Sequence, residues 1–197
     1  MTRLVSHPAR AAPYYRIDLP RIPNEYEPES LLPVEPNSAL ALREEVERFA
    51  CYFRREFRYD FAPYGAGSPE GTAYLFAGDE RRLEEDDDFT EHADLFWVGA
   101  CCFQWRKYQD LDNIPVEELG WAWLHPYFRG KGILASHWET LRKKHGDFSV
   151  LSPLSATMRE FLLKYNQGSM WYPAYEGKEL DLAAVKARLQ ELRDTRA

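Results

Sequence analysis

The spacing of apolar positions changes along the chain and marks out its elements. Leu42, Val46, Phe49, Ala50, Phe53 and Phe57 recur at helical spacing. They predict a helix over about 39–59, N-capped by Ser38 and closed by the turn residues Pro63 and Gly65. The run from Gly71 to Ala77 reads as a strand. A second strand, Asp94 to Trp105, is apolar on both faces, through Leu95-Phe96-Trp97-Val98 and Ala100-Cys101-Cys102-Phe103. A third runs from Val116 to Leu124 and stops at His125-Pro126. Glycines at 130 and 132 then precede a helix from Ile133 to Lys144, closed by Gly146 as a C-cap. Phe148 to Leu151 is a short strand, and Ser155 caps a helix with Met158, Phe161 and Leu162 on its apolar face. Met170 to Tyr175 suggests a last strand, and Leu182, Val185, Leu189 and Leu192 a last amphipathic helix. The order is a mixed α/β pattern with one strand–helix–strand crossover.

Prolines at 8, 13, 20, 23, 28, 33 and 36 forbid a long helix in residues 1–37. This segment reads as a proline-rich arm ahead of one domain over 38–197, with Tyr14, Tyr15, Ile17, Leu19, Leu31 and Leu32 available to pack on it. A chain of 197 residues buries a sizeable core without staples. The balance of 25 Lys+Arg against 32 Asp+Glu gives a net charge of −7, which argues against nucleic acid and suits a cationic substrate. The acidic run Glu84 to Asp88 reads as a solvated hairpin tip. The 3 cysteines form no C-x-x-C, so neither a disulfide framework nor a zinc ribbon is expected, and no metal is expected. No apolar run reaches ~18 residues and the start has no apolar signal region, so no membrane association and a cytoplasmic location are expected.

One segment carries chemistry. Gly130 and Gly132 lie between a strand and a helix, beside Arg129, Lys131 and the first-turn amides of Ile133 and Leu134. Free amides, the helix dipole and two cations make an anion site, and glycine lets backbone approach a phosphate. The P-loop pattern fails, because Lys131 is followed by Gly132 and Ile133. A dinucleotide fingerprint needs further βαβ repeats, and the chain has none.

The stretch Leu124-His-Pro-Tyr-Phe-Arg-Gly-Lys-Gly-Ile-Leu134 resembles the acetyl-CoA loop of the GNAT N-acetyltransferase superfamily, Q/R-x-x-G-x-G/A. Two registers fit. From Tyr127 both glycines match and Tyr replaces Gln/Arg; from Arg129 the Arg and Gly132 match, and Leu134 takes the last small position. The resemblance covers residues about 38 to 175 and is specific over 116–165. Ser152-Pro153 and Phe161-Leu-Leu-Lys-Tyr165 are also similar to cohesin acetyltransferases, without their Asp-Pro and zinc finger. The resemblance implies a GNAT-like acyl-CoA N-acyltransferase fold, a mostly antiparallel mixed sheet flanked by helices. It also implies acetyl-CoA as co-substrate and an amine-bearing acceptor, small molecule or protein, and it leaves a homodimer open. It puts the backbone of Trp123 and Leu124 along the pantetheine arm and the pyrophosphate on Phe128 to Leu134, including Arg129, Gly130, Lys131, Gly132 and Ile133. Family members often carry a catalytic Glu on the strand before the loop. Glu117 and Glu118 alternate faces, and Glu118 shares its face with Gly120, Ala122 and Leu124. His125 is a second candidate base, by its ordinary pKa. The family's thiolate-protonating Tyr falls on Leu162 here, and Tyr165 is the nearest phenol. Trp97, Trp105, Trp121, Trp123, Trp138 and Trp171 line either an acceptor pocket or, for most, the core. The alternative reading is a catalytically degenerate acyl-CoA-binding or interaction module on the same fold.

Overall fold

A computed structural model describes residues 22, 31–79, 95–146, 148–151 and 154–165, with 186, 187, 190, 191 and 194. Among these residues the order is β1 (Leu31–Val34), α1 (Leu40–Phe57), β2 (Thr72–Asp79), β3 (Leu95–Lys107), β4 (Pro115–Leu124), α2 (Ile133–His145), β5 (Ser149–Val150) and α3 (Ala156–Tyr165). The strands form one sheet in the order β1-β2-β3-β4-β5. It is mixed: β1 pairs antiparallel with β2, and β4 pairs parallel with β5 across the α2 crossover. The expected acidic tip and last strand, and the apolar positions expected on a last helix, lie outside the described residues.

The chain divides into two compact units, Met1–Cys102 with Ala122–His137, and Phe103–Trp121 with Trp138–Ala197. In the first, α1 buries Leu42, Val46, Phe49 and Ala50. Phe53 and Phe57 lie on the same expected stripe, yet Phe57 is exposed. The two rings pack on each other at 4.8 Å, and Phe53 stacks on Tyr59 at 5.3 Å, so the end of the stripe forms a local aromatic cluster. The helix is capped by Ala39, not Ser38. Ser38 Oγ instead accepts from the Glu35 amide at 2.9 Å, a local turn bond that competes with capping. Strand β1 comes from within the proline-rich stretch, with Pro33 opposite Tyr74 and Val34 opposite Ala73. The prolines forbid a long helix here, and an edge strand tolerates Pro33 because one side needs no ladder donor. Gly99 sits so close to the Trp123 carbonyl and Leu124 that a Cβ there would collide with backbone.

In the second unit, Phe103, Leu119, Trp121, Trp138, Leu141, Phe148 and Leu162 are buried. Phe148 meets Phe103 edge-on at 4.8 Å and Trp138 edge-on at 5.5 Å. Such T-shaped pairs add about 0.5–1.5 kcal/mol to their area term. Gly146, at φ 66, ends α2, and its amide donates to the Arg142 carbonyl at 2.8 Å. Ser155 caps α3 as expected, its Oγ accepting from the Met158 amide at 3.1 Å. Of the tryptophans, Trp97, Trp121, Trp123 and Trp138 are core and Trp105 is exposed. Cys101 and Cys102, on opposite faces of β3, are both buried.

Candidate functional site

β4 ends at Leu124 and the chain turns through His125 and a short 3-10 segment, Pro126–Phe128. His125 caps that segment: its Nδ1 accepts from the Tyr127 amide at 3.2 Å, and its own amide donates to the Val98 carbonyl at 2.8 Å. The imidazole is fully buried, and its Nε2 has no partner among the described residues. Burial, then the neighbouring Arg129, lowers its pKa to about 4. It is therefore a neutral turn cap at neutral pH, poorly matched to the general-base role expected from its ordinary pKa.

Arg129, expected to supply charge to a phosphate, is engaged elsewhere. Its Nε donates to the Leu124 carbonyl at 2.8 Å, and its two terminal nitrogens each reach a Glu56 carboxylate oxygen at 2.6 Å. Glu56 also accepts from Trp123 Nε1 at 2.7 Å, and the guanidinium lies 5.5 Å from the Trp123 ring centroid. This fork pairing fixes the turn to α1.

What remains open around the turn is backbone. Gly130 and Gly132 have φ of +74 and +80, and no atom lies within 4 Å of where a Cβ would be. Side chains rarely adopt such a backbone, so both positions call for glycine. Ile133 opens α2 directly after, with no acidic residue in the first turn. The first amides of a helix have no intrahelical acceptor. Ser136, the first residue to bond back, donates its amide to the Gly132 carbonyl at 2.8 Å. Ile133 is buried, Leu134 half-buried and Lys131 exposed. Two side-chain-free residues and a helix start fit a diphosphate, with Lys131 as an exposed cation beside them.

The start of β4 carries the carboxylates. Glu118 is only 2% exposed. Its Oε2 accepts from the Tyr108 hydroxyl and, at 3.4 Å, from Ser149 Oγ. Arg106 Nε lies 3.5 Å from its Oε1. Glu117, on the other face, meets His145 Nδ1 at 2.6 Å, and His145 stacks flat on Phe103 at 3.8 Å. Both carboxylates are thus paired and largely buried. Register explains Ser149: it stands opposite Glu118 in the β4–β5 pair, whose last bond joins the Leu151 amide to the Leu119 carbonyl at 3.0 Å. Tyr108, Arg106 and Ser149 are partners of Glu118 that the sequence reading missed. Arg106 and Tyr108 are two positions apart, but β3 ends at Lys107 and Tyr108 lies in the loop beyond it, so strand alternation alone did not mark them.

Tyr165, the expected acid, ends α3 and is 38% exposed. It packs on Phe161 at 4.8 Å, with Lys164 Nζ 5.0 Å from its ring centroid. Leu162, where the family Tyr would fall, is buried. Among the described residues no group of three or more His, Cys, Asp and Glu could hold a metal ion, and no helix is long and apolar enough to cross a membrane. No protein-family model and no curated protein matches the chain.

Proposed function

We propose that the chain is a GNAT-type N-acyltransferase that moves an acetyl group from acetyl-CoA to a primary amine on a small molecule or protein. One observation carries the reading. β4 runs into a turn with glycines at φ +74 and +80, the turn opens onto α2, and α2 leads to β5 parallel with β4. The amides from Gly130 to Leu134 would hold the pyrophosphate of the co-substrate, and the backbone of Trp123 and Leu124 would line its pantetheine arm. Arg129 shapes this turn through Glu56 and contributes little free charge.

Acetyl transfer forms a C–N bond and breaks the thioester C–S bond; the amine nitrogen loses a proton and the sulfur gains one. An amine with a pKa near ~10 is mostly protonated at pH 7, so a base accelerates the step. Glu118 takes the amine proton. Tyr108, which donates its hydroxyl hydrogen bond to Glu118, hands a proton to the departing sulfur and is reprotonated by Glu118. Starting from the ammonium, nitrogen loses two protons: one moves to sulfur by this route and the other leaves to solvent as the amide forms, without the phenol of Tyr165.

Leu162 in place of the family Tyr favours the second reading, an acyl-CoA-binding module without turnover. Incubation with acetyl-CoA and a panel of primary amines, read as free thiol, separates the two. Amine-dependent thiol release is expected. Saturable acetyl-CoA binding with no release for any amine supports the module instead.

A further inference from the structure

The C-terminal half of α1 carries Arg54, Arg55 and Arg58 three, four and seven positions after Cys51, which puts them on one face. With Tyr59 they line a cavity of about 450 Å³. That volume lies within the range of small-molecule sites. Among the described residues no carboxylate lines it, in a chain with 32 acidic residues and a net charge of −7. Asp60 follows next in sequence but is not part of the wall. Among the described residues none of the three arginines forms an ion pair; Arg54 only donates its Nε to the Tyr59 carbonyl at 3.3 Å. That bond holds the base of one guanidinium, and among the described residues its terminal nitrogens have no partner.

Two features exceed ordinary helix-end chemistry. Arg54 and Arg55 lie in the last turn of α1 and complement its dipole, worth about 0.3–1 kcal/mol each. Dipole complementarity needs neither a concave wall nor a third arginine, and three cations around one cavity repel each other. Second, Arg58 occupies the left-handed cap at φ 58, ψ 40, where glycine is the relaxed choice. A cation stands in a strained position that turns it to the same wall as Arg54 and Arg55.

We propose that this cavity binds the phosphomonoester group of a small organic molecule. The guanidinium forks take the phosphate oxygens, and Tyr59 and Cys51 face the organic part. Inorganic phosphate shares the charged chemistry, so both are probed. The inference does not rest on the acyltransferase reading.

The test is calorimetric titration of the full chain with phenyl phosphate, inorganic phosphate and, as neutral control, benzyl alcohol. Saturable binding of phenyl phosphate at one site is expected, weakening as salt rises, with inorganic phosphate binding more weakly and the alcohol not at all. Arg54→Gln should weaken phenyl phosphate at least tenfold. Arg58→Gly should do the same while raising the melting temperature, because it relaxes the left-handed cap; this separates binding from folding. Gly132→Val should leave phenyl phosphate binding intact, which separates this site from the turn. Absence of saturable binding, or binding unchanged in both arginine variants, overturns the proposal. Equal affinity for inorganic phosphate and phenyl phosphate would overturn the organic part of it.

Discussion

At the start of β4 the side chains hold the chemistry; just past its end the backbone does. Glu118 is buried with a phenol, a hydroxyl and a guanidinium around it, and Glu117 is matched by His145. Beyond Leu124 the buried His125 imidazole is a neutral cap, and Arg129 is matched by Glu56. There, in the proposed reading, the glycines and the first amides of α2 meet the ligand, and nothing stands within 4 Å of a Cβ at either glycine. The contrast matters because a cation next to a glycine-rich turn looks like a phosphate ligand in sequence, whereas this one braces the turn. A buried carboxylate looks like a surface residue in sequence, whereas this one has a proton donor in contact.

The largest expected effect tests the proton chemistry at the start of β4. Glu118→Gln should lower amine-dependent thiol release by ~10²-fold or more, with KM for acetyl-CoA nearly unchanged. The loss should shrink at high pH, where the amine deprotonates unaided. Glu117→Gln, which weakens the pair with His145, should lower the melting temperature and leave turnover largely intact. Equal turnover losses in the two variants would erase the distinction between them.

The next effect tests the neutral cap. His125 has a pKa near 6.5 unfolded and about 4 folded. Between those values the unfolded state takes up a proton and the folded state does not. Stability is therefore full above pH 6.5 and declines as pH falls toward 4, by on the order of 3 kcal/mol. His125→Asn keeps an acceptor for the Tyr127 amide and should flatten that part of the pH–stability curve. Chemical denaturation at several pH values checks it, and an unchanged slope in the variant would show that other groups cause the acid loss.

Somewhat smaller is the brace. Glu56→Ala should destabilise the fold by about 2 kcal/mol, since it removes charge-assisted bonds to Arg129 and Trp123. Arg129→Ala should cost about as much, and the double variant little more than either alone. Additive losses in urea titrations would mean the two residues act separately. Smallest is Gly130→Ala, which forces a Cβ onto a left-handed backbone and should lower stability by about 1 kcal/mol.

The sequence revealed elements wherever local pattern and tertiary burial agree. The two-sided apolar run of β3, the alternation of β4 and the Ser155 cap are set by neighbours close in the chain. It failed where a distant partner decides the outcome. Leu31–Val34 is a strand because β2 offers an edge, and nothing within those four residues says so. Ser38 is spent on the Glu35 amide, so the cap moves to Ala39. Glu56 precedes Arg129 by 73 positions, and no spacing rule links them. The glycines of the turn were legible because backbone conformation is local. The partners of Glu118 were not, because they come from β3, β5 and the loop after β3.

In the proposed reading the glycine backbone, more than Arg129, binds acyl-CoA. The most direct test of that reading is calorimetric titration of the full chain and of Gly132→Val with acetyl-CoA, with NAD and ATP as controls. The parent chain should bind acetyl-CoA saturably, and at ~100 times Kd the ligand should add roughly 2.7 kcal/mol to stability. NAD and ATP should do neither, and the variant should remain folded with its affinity lost. Equal affinity for all three ligands, or unchanged acetyl-CoA affinity in Gly132→Val, would contradict the account.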